Sequence, residues 1–184
     1  MQWIVGNQGE NLTQGTILYG VDFGYGEYNP LCIVLSNACD FENDKLSFII
    51  LAILVPAKET LRNSKEVCAI YKEKEWADLT RREKDAICNI YTDKIHNKSI
   101  GRYYFFNPKP IIDMDPLLVD FQHVRSFEYS TFKKSVDNGK IQVLGRLDHP
   151  FVEQMMMQYA GYTGRVPSDR LSSEKVQELI NTLL

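Results

Sequence analysis

The sequence predicts a mainly β protein with helices, of the α+β class, built as a small, partly open β-barrel. Three observations lead there. Short apolar runs, alternating with period two or rich in β-branched residues, recur in two groups, over 15–57 and 101–145. A charged segment with helical spacing, 58–100, lies between the groups, and a second helical stretch, 146–184, follows them. A length of 184 residues, 44% of them hydrophobic and 24% charged, suits a single domain, 1–184, better than two complete ones.

The elements follow in order. Ile17, Tyr19, Val21 and Phe23 alternate with Leu18, Gly20 and Asp22, which predicts a strand. Gly24-Tyr25-Gly26-Glu27-Tyr28-Asn29-Pro30 supplies a loop, and Leu31 to Ser36 a short strand. After a polar loop over Asn37 to Lys45, the run from Leu46 to Val55 is too short for a typical helix and reads as a central strand buried on both faces. In the insertion, Val67, Cys68, Ile70, Tyr71 and Trp76 fit helical spacing loosely. Ala86, Ile87, Ile90, Tyr91 and Ile95 fit it well. Thr80-Arg81-Arg82-Glu83 has the pattern of a capping box, so a helix is expected over 81–96.

Strands resume at Arg102–Phe106, Leu117–Phe121 and Val124–Ser130. Asp137-Asn138-Gly139 has the composition of a hairpin turn, with Lys140–Leu144 returning. Asp148 or His149 is placed to cap a helix with Pro150 in its first turn and Phe151, Met155, Tyr159 and Tyr162 inward. Ser172 or Ser173 is placed to cap a last helix carrying Val176, Leu179, Ile180 and Leu183.

Composition excludes several function classes. A net charge of -3 argues against a surface built throughout to neutralise phosphate, although 58–102 holds more basic than acidic residues. The start lacks a secretory pattern, and the longest apolar run, 48–57, is half of what a bilayer-crossing helix needs; a cytoplasmic protein without a membrane partner is expected. Four cysteines in that setting predict free thiols. No zinc-type spacing, phosphate-binding glycine loop or strained serine elbow occurs, so no metal and no cofactor is expected.

The densest chemistry in the sequence is Ser36-Asn37-Ala38-Cys39-Asp40-Phe41-Glu42-Asn43-Asp44. Cys39 would serve as a nucleophile only with a cation or one of His96, His123 and His149 over it, because Asp40 disfavours its thiolate. Otherwise the segment is an Asx-turn around a small buried cysteine. Arg102-Tyr103-Tyr104-Phe105-Phe106 interleaves a cation with aromatics, which suits either base stacking or a barrel core, and His123 and Arg125 flank a strand start. The basic residues of the insertion form either a phosphate-facing surface or a solvated helical face. Cys68 and Cys88 read as core residues, and Met155-Met156-Met157 as cover for the barrel or an adaptable partner surface.

Gly15 to Gly24, the Gly-rich loop, Pro30, and Cys32-Ile33-Val34-Leu35-Ser36-Asn37 together resemble the PemK/MazF-like proteins, small SH3-like barrels. Val55-Pro56-Ala57-Lys58 matches the proline that ends the family's third strand. The resemblance covers residues 15–60 or so. It implies an SH3-like barrel, a metal-independent endoribonuclease or its non-catalytic relative, a toxin-antitoxin or defence setting, an RNA or protein partner and a possible homodimer. The arginine that family members place before the proline corresponds to Asn29, and their hydroxyl after the third-strand proline to Ala57 or Lys58. Both catalytic groups are therefore replaced. The binding positions carried over are Asn29, Ser36, Asn37 and Lys58. A looser likeness joins uncharacterised bacterial proteins with Cys-Asp after the Val-Leu-Ser strand, as at Cys39-Asp40, and an Arg-containing helical tail like Leu147 to Arg165.

Three functions follow as expectations. The first is a binding module for nucleic acid or a protein partner. The second is an endoribonuclease whose active groups come from other positions, namely Arg102, His123 and Arg125 with Asp40 and Cys39. The third is a structural interaction protein docking through its C-terminal helices.

Overall fold

The computed structural model describes residues 2–6, 12–24, 30–43, 45–72, 74–98, 101–109 and 111–164. The strands are β1 (Ile4–Val5), β2 (Thr16–Tyr19), β3 (Cys32–Val34), β4 (Phe48–Pro56), β5 (Tyr103–Phe106), β6 (Leu117–Glu128) and β7 (Gln142–Leu147). They form one antiparallel sheet in the order β1-β7-β2-β3-β4-β6-β5. The sheet curls into a half-barrel. Its two outer strands meet without hydrogen-bonding each other: Trp3, just before β1, sets its ring edge-on to Phe105 of β5 at 6.1 Å and stacks on Phe151 at 4.3 Å.

The concave face carries Ile17, Ile33, Ala52, Leu54, Tyr104, Phe106 and Val119. Helix α6 (Phe151–Thr163) fills it with Phe151, Val152 and Met155, and the Tyr104 hydroxyl donates to the Phe151 carbonyl at 3.0 Å. The convex face carries Leu18, Cys32, Val34, Leu51 and Ile53, covered by Phe132 of α5 (Tyr129–Asp137). Each of these aliphatic side chains contributes about 2 kcal/mol on burial. Cover on both faces accounts for the unbroken apolar run of β4, whose residues alternate between two cores. Its first concave-facing residues, Phe48 and Ile50, are nonetheless exposed.

The insertion holds α2 (Ala57–Arg62), α3 (Lys65–Tyr71), a 3-10 turn at Trp76–Asp78 and α4 (Arg81–Ile95). Ala57 and Leu61 seat it on Phe105 and Leu118. The capping box of α4 is formed: Thr80 Oγ1 accepts from the Glu83 amide at 3.3 Å, and the Thr80 amide donates to Glu83 Oε2 at 2.8 Å. Lys74 and the Thr80 hydroxyl also donate to that carboxylate, each at 2.8 Å, and the bonds from Lys74 and Thr80 hold the Glu83 carboxyl down at about 2.

Several expectations are corrected. The first strand ends at Tyr19, because Gly20 turns at φ +89° and a Cβ there would lie 2.8 Å from the Lys140 carbonyl oxygen. Two predicted strands are one, β6, and no hairpin follows it. Residues 129–137 are α5, capped by Glu128 accepting from the Ser130 and Thr131 amides. Asn138-Gly139 ends that helix: Gly139 sits at φ +69°, its amide donates to Val136, and the Lys140 amide reaches Ser135, which is a Schellman motif. Asn138 has φ -85°, whereas the hairpin turn would need a positive value.

Helix α6 starts without a side-chain cap; the Asp148 carbonyl accepts from the amides of Phe151 and Val152. Cys68 and Cys88 are exposed rather than core, as is Cys39, while Cys32 is buried; all four are free thiols. Residues 172–184, expected as a last helix, lie outside the described residues. No helix among the described residues is long and apolar enough to cross a membrane.

Candidate functional site

The site begins with an irregularity in the longest strand pair. β4 pairs Ala52 with Val124 but the next residue, Ile53, with Asp120, so Phe121, Gln122 and His123 loop out of β6 as a three-residue bulge. Such bulges re-aim side chains. Here Phe121 stays on the concave side against Tyr159 and Tyr162, while His123 turns back over Asp120.

Asp120 is the anchor. It lies on the convex face with only 2% of its side chain exposed, and an ionised carboxylate so placed must be paired. Arg102, just before β5, grips it two-handedly, Nε to Oδ1 at 2.7 Å and Nη2 to Oδ2 at 2.5 Å. The Gln122 amide donates to Oδ1 at 3.0 Å, and His123 Nδ1 lies 2.7 Å from Oδ2. Burial pushes the Asp120 carboxyl up, but hydrogen bonds from Arg102, His123 and the Gln122 amide outweigh it and hold the group below the ordinary carboxylate range. The same pairing raises the Arg102 guanidinium.

A carboxylate only accepts, so His123 Nδ1 carries a proton toward Asp120, which directs Nε2 away from the carboxylate. The ring is half exposed, and Arg102 Nη2 passes 3.3 Å from Nδ1. Asp120 takes two of the five N–H donors of Arg102. The guanidinium also lies 4.8 Å over the Tyr103 ring. Gln158 of α6 donates to the Tyr103 carbonyl at 2.7 Å, and the Phe121 amide to the Arg102 carbonyl at 3.0 Å, so the backbone beneath the pair is fixed from two sides. A cleft of about 220 Å³ opens next to it, lined by Thr60, Ser64, Asp93, Asn97, Arg102 and Tyr103.

Arg125 belongs to the same face. It stands opposite Leu51, and Asp120 opposite Ile53, which places the two on the convex side about 7 Å apart along the sheet. A Cβ on Gly24 would lie 3.5 Å from Arg125 Nη1, so the chain entering the Gly-rich loop passes over that arginine.

The Cys39–Asp40 segment is elsewhere. It forms α1 (Ala38–Glu42), and Phe41 packs on Tyr129 beyond the far end of β6. Phe48 pairs with Glu128 there, five residues of β4 from Ile53, so about 17 Å separates this end from Asp120. Cys39 Sγ has Asp40 Oδ1 at 3.9 Å, and each histidine is engaged away from it: His123 on Asp120, His149 on Glu153, His96 at the end of α4. The structure thus brings Arg102, His123 and Arg125 to one face and leaves Cys39 and Asp40 apart from them.

The remaining positions scatter. Ser36 is buried and its Oγ accepts from the Ile50 amide at 2.8 Å, which ties β3 to β4. Asn37 precedes α1, its Oδ1 3.4 Å from Gln14 Nε2. Lys58 is exposed in the first turn of α2, and Ala57 is buried. Asn29 lies outside the described residues. Among the described residues, no three His, Cys, Asp or Glu side chains converge as a cation site.

Asp120 itself escaped the sequence reading. Its signal was present: a lone carboxylate inside Leu117-Leu118-Val119-Asp120-Phe121, where every neighbour is apolar. No protein-family model matches this chain, and no curated protein matches it.

Proposed function

We propose that the protein is an RNA-acting barrel of the PemK/MazF-like kind, in a toxin-antitoxin or defence setting, cutting single-stranded RNA without a metal at Arg102 and His123. The observation that carries this reading is the histidine held by Nδ1 on a buried aspartate beside an arginine. His123 Nε2, in the neutral ring, is the base that takes the proton of a ribose 2′-hydroxyl. The 2′-oxygen bonds to the adjacent phosphorus, the bond from phosphorus to the 5′-oxygen breaks, and water protonates that oxygen. Arg102 stabilises the charge that develops on the phosphate oxygens. These two groups replace those that the family resemblance assigns to the positions of Asn29 and of Ala57 or Lys58; Ala57 is buried and Lys58 carries no hydroxyl.

The test is incubation with mixed-sequence single-stranded RNA in chelator. Fragments ending in a 2′,3′-cyclic phosphate and beginning with a 5′-hydroxyl, lost in His123→Ala, are the expected result. Intact RNA with a folded wild type overturns cleavage. In that case a second reading stands on the Arg102–Tyr103 stack, a platform that suits RNA binding alone. Arg102→Ala would then lower the affinity and flatten its salt dependence.

A further inference from the structure

The cleavage step leaves the cleft beside Arg102 unused. Leu61 of α2 and Tyr103 of β5 give it an apolar lining, α3 contributes Glu66, and α4 contributes Asp93 and Lys94. Asn97, just past α4, fixes one corner. Its side chain accepts from the Phe105 amide at 2.7 Å and donates to the Phe105 carbonyl at 2.9 Å, as a neighbouring strand would, so the end of α4 is clamped to the edge of β5. At about 220 Å³ the cleft is smaller than pockets for drug-sized ligands, roughly 300–1,000 Å³. It has room for one flat ring the size of a base. Two of its charges are unpaired. Asp93 holds Lys98 at 2.9 Å, but among the described residues neither the Glu66 carboxylate nor the Lys94 ammonium has a partner, and the two do not pair with each other. One small cleft is thus lined by a group that only accepts and a group that only donates.

We propose that this cleft takes a guanine base from the RNA strand whose phosphate Arg102 holds. The inference rests on the RNA reading above and names the base that this reading leaves open. Guanine alone among the four RNA bases offers two adjacent donors, N1–H and the 2-amino group, and so satisfies both oxygens of the Glu66 carboxylate. Its O6, beside N1 on the same edge, accepts from Lys94. Adenine and cytosine each bring one donating group next to a ring acceptor, and uracil sets a carbonyl on either side of its N3–H. Each of them turns lone pairs onto the carboxylate, a contact that costs affinity. The face of the ring meets Leu61 and Tyr103. Arg102 lines both the cleft and the bulge site, which places the base next to the phosphate under attack.

The test is fluorescence anisotropy of the full chain with labelled 2′-O-methyl tetranucleotides, which lack the attacking hydroxyl and stay intact. One is uridine throughout, and in the others one uridine is replaced by guanosine, adenosine, cytidine or inosine. The guanosine oligonucleotide is expected to bind about 10-fold to 100-fold more tightly than the adenosine, cytidine and all-uridine ones. Inosine keeps N1–H and O6 but lacks the 2-amino group, and should bind about 10-fold less tightly than guanosine. Glu66→Ala should bring guanosine down to the level of adenosine and leave the all-uridine affinity unchanged. Glu66 is exposed in the first turn of α3, so the variant should keep the wild-type circular dichroism. Equal binding of all five oligonucleotides, equal binding of inosine and guanosine, or an unaltered preference in Glu66→Ala would each overturn the guanine site and leave the RNA reading standing. Binding of none would overturn both.

Discussion

The α1 segment and the β6 bulge both gather polar atoms, but they differ in what lies behind them. In α1, Cys39, Asp40 and Glu42 follow one another in sequence, and their side chains spread from a short helix into solvent. At the bulge, Arg102, Asp120 and His123 come from separate positions, and the one at the centre is nearly sealed from water. A carboxylate in water is satisfied wherever it points. A buried one organises its neighbours, because each unmet lone pair costs free energy. Density along the chain is therefore a poor guide to a site, and an out-of-place charge is a better one.

The sharpest way to break this contrast is at the bulge. His123→Ala should lower RNA cleavage by about 100-fold to 10,000-fold, the range of general-base loss. Asp120→Asn should also lower cleavage, by up to about 10,000-fold, by releasing the ring from its tautomer and orientation, with a melting temperature lower by several degrees because Arg102 loses its buried partner. Equal cleavage by Asp120→Asn and wild type would remove the distinction drawn between the two regions. Changes in α1 provide the other half: Cys39→Ser with Asp40→Asn should leave cleavage unaltered and stability within about 0.5 kcal/mol. A loss there would make α1 a working site after all.

The smallest effect concerns acid. Glu83 and Glu128 both accept hydrogen bonds at helix starts, which hold each at about 2 against an ordinary 4.5. A depressed carboxylate stabilises the fold above its unfolded value and loses that contribution as pH falls toward its folded one. Ellipticity followed from pH 4.5 down to about 2 should therefore fall less steeply in Glu83→Gln and Glu128→Gln than in the wild type, each starting from a less stable protein.

How far the sequence spoke depends on the range of the interaction that decides each element. The capping box at Thr80–Glu83 and the apolar run of β4 are set by residues within a few positions, and both were legible. Helix α5 was not, because Tyr129-Ser130-Thr131-Phe132 has β-type residues and Asn138-Gly139 suits a hairpin turn as well as a helix end. Packing of Phe132 on the convex core decides it. Of the site, Arg102, His123 and Arg125 were legible as residue types, but their meeting depends on a bulge opposite Ala52 and Ile53 that no local pattern encodes.

The seam between the two outer strands has a consequence for how the barrel can be watched. Trp3 closes it with rings, and the sheet pairing contains no amide bridge between β1 and β5. Deuterium uptake would pass over its opening unnoticed. Indole emission would not: Trp3 is stacked and half-buried, whereas the only other tryptophan, Trp76, is 46% exposed. With Trp76→Phe as background, a red shift before the main unfolding transition would report the barrel unlatching.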